Sequence, residues 1–492
     1  MQDLHDLELI VESAVPVVVI ESHEERRVVA LFQRLFTRVP KPLFHWTVTE
    51  GLRRIDVDYP PQHHNREPAG LLSQIKSTTS PGIYLLSDFH PYLDEPTHVR
   101  LLKDIALAKP SVDHTVVLIS HSLSIPPELE RFCARFELSV PNREHVRQAV
   151  LLEAQAWSKR KRGRNVKTNK RMLDLLIENL VGLPLNDARR LARAAMEDDG
   201  AITECDLPDI QKAKFELLGK NGVLSFEYDT ARFADVGGLR RLKEWLDLRR
   251  PVFTGAVDKP GLDPPKGILL LGVQGCGKSL AAKAVAGTWG VPLLRLDFGT
   301  LYNKFFGETE RNLRSSLNTA QAMAPCVLWI DEIEKGVGSD RSDAGTSKRV
   351  LGSLLTWMAE NRTRVFIVAT ANDIEVLPPE LLRKGRVDEI FFADLPDEQT
   401  REAIFGIHLR ARNLDCVRFD LPRLAQAAEG FSGAEIEQSV VSALYSAHAR
   451  GVAPEGEHVL DAVRTTRPLS VVMHERIHSL RSWAVERTVP AN

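Results

Sequence analysis

The chain reads Gly267-Ile268-Leu269-Leu270-Leu271, then Gly272-Val273-Gln274-Gly275-Cys276-Gly277-Lys278-Ser279, then the helical pattern Leu280-Ala281-Ala282-Lys283-Ala284-Val285. A short unbroken apolar run fits a strand buried on both faces. The G-x-x-x-x-G-K-S spacing that follows is a phosphate-gripping loop. Its glycines let successive backbone N–H groups point at one anion, the helix start adds its positive end, and Lys278 reaches the terminal phosphates. Strand, loop and helix in that order commit this half of the chain to an α/β sheet. Gly272, Gly275, Cys276, Gly277, Lys278, Ser279 and Leu280 are the expected contacts, with Ser279 on a magnesium ion. A glycine-rich turn without function is the alternative reading, and the flanking strand and helix argue against it.

A second apolar run, Cys326-Val327-Leu328-Trp329-Ile330, ends on Asp331-Glu332. Ligands of open α/β sheets bind at the carboxyl edge of the strands. Asp331 there suits the magnesium shell, and Glu332 can take a proton from an attacking water. A third run from Arg364 to Thr370 finishes on Ala371-Asn372, so an amide emerges where it can orient that water. Read alone, Asn372 is a turn former. The order along the chain, ending in the basic cluster Arg383-Lys384-Gly385-Arg386, favours catalysis.

Together these residues resemble the AAA+ ATPases, specifically the core AAA group. Phe233-Ala234-Asp235-Val236-Gly237-Gly238-Leu239 resembles that group's entry motif beside the adenine, which implies contacts from Asp235, Val236 and Gly237. Leu382 to Asp388 resembles its arginine-finger segment. Phe431-Ser432-Gly433-Ala434-Glu435-Ile436 resembles the small-domain motif near the nucleotide, bringing in Gly433 and Ala434. The Val-Gln-Gly-Cys form of the loop, Asp331-Glu332-Ile333-Glu334-Lys335-Gly336 and Arg467-Pro468-Leu469-Ser470 are similar to the family first named as a hypothetical chloroplast open reading frame, found in plastids, cyanobacteria and other bacteria.

The resemblance implies an ATP hydrolase that needs Mg2+, placed in the cytoplasm or the plastid stroma. Glu332 and Asn372 act within one subunit, and Arg383 and Arg386 reach in from the next. A homo-oligomer follows, expected to be a hexamer acting on a protein client. Lys304-Phe305-Phe306-Gly307 stands where the group places the aromatic loop that lines a central pore and grips polypeptide through contacts needing no particular side chain. Two adjacent phenylalanines also suit a core. Residues 338–345 are small and polar, fitting a second loop. The segment Thr356-Trp357-Met358-Ala359-Glu360-Asn361 lacks the Asp-Gly pair through which relatives signal between subunits. Client remodelling is the leading reading; a slow ATP-gated switch or assembly scaffold is the alternative, and a DNA-acting machine a third.

The first half is α/β as well, with strand-like runs at 16–20, 83–86 and 115–119. Its Ile125-Pro126-Pro127-Glu128-Leu129-Glu130-Arg131 echoes Leu377-Pro378-Pro379-Glu380-Leu381-Leu382-Arg383, which suggests two copies of one fold. After its first strand, however, it reads Glu21-Ser22-His23-Glu24-Glu25-Arg26-Arg27. Three carboxylates without a glycine repel phosphate, so this copy is a degenerate one that does not bind ATP in the usual way.

The expected domains are therefore 1–225, a degenerate AAA-like α/β domain with a helical lid; 226–398, the large ATPase subdomain with a parallel sheet; and 399–492, its helical lid and C-terminal helix. The basic run Lys159-Arg160-Lys161-Arg162-Gly163-Arg164 is read as a solvated linker rather than a nucleic-acid patch. A formal net charge of -2 over 492 residues gives no global pull toward nucleic acid. The five cysteines form no metal or disulfide spacing. An acidic start unlike a secretory signal and the lack of a long apolar stretch point away from membranes.

Overall fold

The computed structural model describes residues 2–57, 65–219, 223–231, 233–257, 259–302, 309–337, 344–374, 376–383 and 385–492. They form two compact units, Met1–His145 with Leu183–Asp187, and Val146–Gly182 with Ala188–Asn492.

The first unit holds a six-stranded sheet of β1 (Val17–Glu21), β2 (Leu43–Thr47), β3 (Gly51–Arg54), β4 (Gly82–Ser87), β5 (His114–Ser120) and β6 (Cys133–Arg135), in the order β3-β2-β4-β5-β1-β6. All neighbours are parallel except the β2–β3 hairpin. Successive strand side chains point to opposite faces. Val17 and Val19 accordingly meet Leu71, Ile75 and Leu102, while Val18 and Ile20 meet Leu7, Val28 and Phe32. Helices thus cover both faces, as a buried parallel sheet requires.

The second unit holds β7 (Leu224–Glu227), β8 (Gly267–Gly272), β9 (Leu293–Leu296), β10 (Cys326–Ile330), β11 (Val365–Ala371), β12 (Glu389–Ala393) and β13 (Val489–Pro490), in the order β13-β12-β8-β11-β10-β9-β7. The parallel strands of the two sheets follow one pattern, β2-β4-β5-β1-β6 in the first and β9-β10-β11-β8-β12 in the second. Each also has an antiparallel strand outside β2 or β9. The duplication suggested by one short echo is a duplication of topology.

The expected division places the helical region between 146 and 225 with the first half. Apart from Leu183–Asp187 it clusters with the second unit, where Phe215 and Leu218 pack on the core beneath β8–β11 and Glu178 pairs with Arg364 at 2.7 Å. Lys214 is 1% exposed in this packing, and its Nζ donates to the Val181 carbonyl.

Burial pulls the Lys214 ammonium down to about 8, with Cys326 opposing. Its folded pKa lies below the unfolded one, so the unfolded chain holds more protons between about pH 8 and 10.5 and stability rises with pH across that window. Relative to Lys214→Met, the parent should gain about 2 kcal/mol from pH 8 to pH 10. Denaturant titrations at both pH values check this; parallel pH profiles would refute it.

After β12 comes a helical lid of Glu398–Ala411, Leu421–Ala427, Gly433–Ala449 and Gly456–Thr465, with its own core of Phe405, Leu409, Phe431, Ile436 and Val440. Ser432 and Glu435 cap its third helix reciprocally. The chain then returns to the sheet. Helix His474–Ala484 places Ile477, Leu480 and Ala484 in the large core, and β13 pairs with β12.

Candidate functional site

The site forms where β8 ends. Gly272 leaves the strand at φ +149, and a Cβ there would lie 2.0 Å from the Ala393 carbonyl oxygen, so only glycine lets β8 run against β12 and turn. Gly277 sits in the left-handed region at φ +80, immediately before helix Lys278–Trp289, which aims the first helical N–H groups into the loop. Lys278 is 7% exposed, and its Nζ donates to the Gly272 and Val273 carbonyls at 2.9 Å each. Burial lowers its pKa, opposed by Cys276, Glu334, Asp331 and Glu332. Neighbouring Cys276 is pushed up to about 12 by burial, so its thiol is held neutral.

The ends of β10 and β11 supply the polar groups. Asp331 Oδ1 accepts from Thr370 Oγ1 at 2.8 Å and from Ser279 Oγ at 3.4 Å. Its other oxygen lies 3.3 Å from Arg295 Nη2, whose guanidinium stacks 4.9 Å over the Trp329 ring. Glu332 has φ +49, and its backbone N–H donates to Thr370 Oγ1 at 3.0 Å. Its carboxylate accepts from Asn372 Nδ2 at 3.0 Å and pairs with Lys335. The Asn372 backbone N–H donates to Glu334 Oε1 at 2.9 Å, and burial raises the Glu334 pKa. Ser279 and Asp331 offer only oxygen donors, the set a hard cation such as Mg2+ prefers.

These groups open on a cavity of about 470 Å³. Of the residues expected from sequence, Asp235, Val236, Gly237, Gly275, Cys276, Gly277, Lys278, Ser279, Leu280, Asp331, Glu332, Asn372, Gly433 and Ala434 line it. Gly272 does not; it acts through its backbone. The lid closes on the loop through Ala434 N–H, which donates to the Gly275 carbonyl at 3.1 Å. Arg383 is exposed and Arg386 half-buried, and neither lines the cavity of its own chain. Arg386 donates to the Glu380 carbonyl. Lys304, Phe305, Phe306 and Gly307 lie outside the described residues, as do 338–343 of the second loop. The basic run ends helix Arg143–Arg160, where Arg160 and Lys161 pair with Glu197 at 3.3 and 3.7 Å.

Sequence reasoning missed Thr370, Arg295 and Asn492. Thr370 and Arg295 look like ordinary strand positions, and only the pairing of Trp329 with Arg295 and of Ile330 with Ala369 brings them to Asp331. Asn492 lines the cavity and accepts from the Leu239 backbone N–H because β13 carries the chain back.

The model of the ATPase family associated with various cellular activities (AAA) matches residues 268–395. Models of the N-terminal and second domains of SpoVK-like AAA ATPases match 3–138 and 144–221. The chain is 33% identical to the AAA domain-containing protein ycf46 of Pyropia yezoensis over 98% of both chains. It is 34% identical to that of Guillardia theta over 98% of this chain and 95% of the relative. Similarity extends to a proteasome-activating nucleotidase of Aeropyrum pernix, 31% identical over 73% of this chain and 84% of that one. Among the described residues no helix is long and apolar enough to cross a membrane.

Proposed function

Because the chain belongs to the ycf46 family of AAA domain-containing proteins, we propose that it hydrolyses ATP as an oligomer and uses the cycle to remodel a protein client. The observation that supports this best is the convergence of Lys278, Ser279, Asp331, Glu332 and Asn372 on one cavity. Lys278 exchanges the loop carbonyls for the terminal phosphates. Ser279 and Asp331 hold Mg2+, which neutralises phosphate charge when bound. Glu332, oriented by Asn372, takes the proton of the attacking water. Asp235, Val236, Gly237, Gly433 and Ala434 enclose the base and ribose side.

Arg383 and Arg386 lie off the cavity of their own chain, which supports the reading that they are fingers offered to a neighbour in an oligomer, read as a hexamer. The similarity to a nucleotidase named for activating the proteasome supports a polypeptide client, gripped by Lys304, Phe305, Phe306 and Gly307.

A second reading, an ATP-gated switch with little turnover, draws on the Glu332 carboxylate being held by both Asn372 and Lys335. One experiment separates the two. Arg383→Ala alone should lower turnover about 10³-fold, as loss of an arginine finger does. Mixing it with Glu332→Gln subunits should restore part of it, because an Arg383→Ala site beside a Glu332→Gln subunit then meets an intact finger. No recovery at any ratio counts against action in trans. ATP-dependent assembly of the parent with negligible turnover favours the switch.

A further inference from the structure

We propose that the first unit binds a divalent transition-metal ion of the zinc class between Asp88, His90 and His121. One ligand atom from each of the three lies within 4.8 Å of the others. They leave the carboxyl ends of adjacent strands, β4 and β5, the edge of a parallel sheet at which ligands bind.

The place in the fold corresponds to the magnesium side of the second unit's cavity. Ser87 pairs with Ile119 and Ile119 with Ile20; in the other sheet Ile330 pairs with Ala369 and Ala369 with Leu269. Asp88 therefore leaves its strand at the level of Asp331, and Ser120 stands at the level of Thr370. The hydroxyl is kept and its partner has changed. Thr370 donates to an aspartate, whereas Ser120 Oγ lies 2.7 Å from His90 Nδ1 and 3.5 Å from His121 Nδ1. The loop after β1 has lost its glycines, and His23 from that loop now stacks on His121 with centroids 5.9 Å apart. Where the second unit presents oxygen donors, the corresponding edge of the first presents imidazoles.

Two imidazoles and a carboxylate suit zinc and its first-row neighbours, while Mg2+ prefers oxygen alone. Three protein ligands leave a fourth position open to water or a partner's side chain. The His90 and His121 rings are 4.8 Å apart at 85°, so both can turn edges to one point, and Ser120 is the kind of outer partner that holds a ligating ring in place. Among the described residues no hydrogen bond or ion pair engages the Asp88 carboxylate, which leaves it available. Ligands at about 2.1 Å from a tetrahedral zinc stand about 3.4 Å apart, so closure asks for side-chain rotation at a largely exposed site.

The test uses the full chain without a polyhistidine tag, titrated with Zn2+ by calorimetry in excess Mg2+ and with Co2+ by visible absorption. One Zn2+ per chain should bind with a micromolar dissociation constant, and Co2+ should give the absorption of a low-coordinate site. Asp88→Asn and His121→Ala should each weaken binding at least about tenfold, the loss that an outer partner alone can cause, with ATP binding unchanged. His121 is exposed, and unaltered metal-free thermal unfolding of its variant shows the fold intact. Zinc binding that persists undiminished in His90→Ala/His121→Ala, or no binding at all up to millimolar ion, overturns the proposal.

Discussion

Lys278→Ala is expected to weaken nucleotide binding at least about a hundredfold. The ammonium is already placed inside the loop by the Gly272 and Val273 carbonyls, so little ordering is needed when phosphates replace them. Charge-assisted hydrogen bonds contribute about 1.5–3 kcal/mol each, and losing two weakens binding at least about a hundredfold. The variant also leaves two loop carbonyls without their donor, which loosens the cradle. Calorimetry with a non-hydrolysable ATP analogue measures the loss; retained micromolar affinity would show that the loop is not the phosphate site.

Glu332→Gln separates binding from chemistry. Glutamine keeps the oxygen that accepts from Asn372 Nδ2 but cannot take a proton, so turnover falls by about 10²–10⁴ while nucleotide affinity holds. The ion pair with Lys335 is lost too, but the lysine side chain is 64% exposed and such pairs contribute less than about 1 kcal/mol. Stability therefore stays close to the parent. Phosphate release and calorimetry on one preparation check both halves, with ATP-dependent oligomers accumulating on a sizing column. Ordinary turnover in this variant removes Glu332 as the base.

Much of this site could be read along the chain because its parts are local. Gly272 to Ser279 make the loop by spacing alone, and an apolar run ending in Asp331-Glu332 announces itself as a strand leaving a sheet. The groups around those acids were not legible. Thr370 and Arg295 reach Asp331 only through strand register. Asn492 reaches the cavity only because β13 pairs with β12. Of the first unit's strands, β1, β4 and β5 show as buried runs, whereas β2, β3 and β6 are short and partly exposed, giving little periodicity to find. The helices between 146 and 225 read as the lid of the first copy of a duplicated fold; in the structure Phe215 packs on the second unit's core and Arg364 pairs with Glu178, contacts that no local pattern records.

What the amino-acid order determined by itself is the phosphate cradle and the α/β class of both halves, since a loop's backbone angles and a strand's alternation depend on near neighbours. Tertiary structure alone decided which side chains face each other at the sheet edges: Thr370 and Arg295 with Asp331 in one unit, Asp88 and His90 with His121 in the other. Parallel strands meet only through long crossover connections, so the residues that share an edge come from distant parts of the chain, and no local pattern records their meeting.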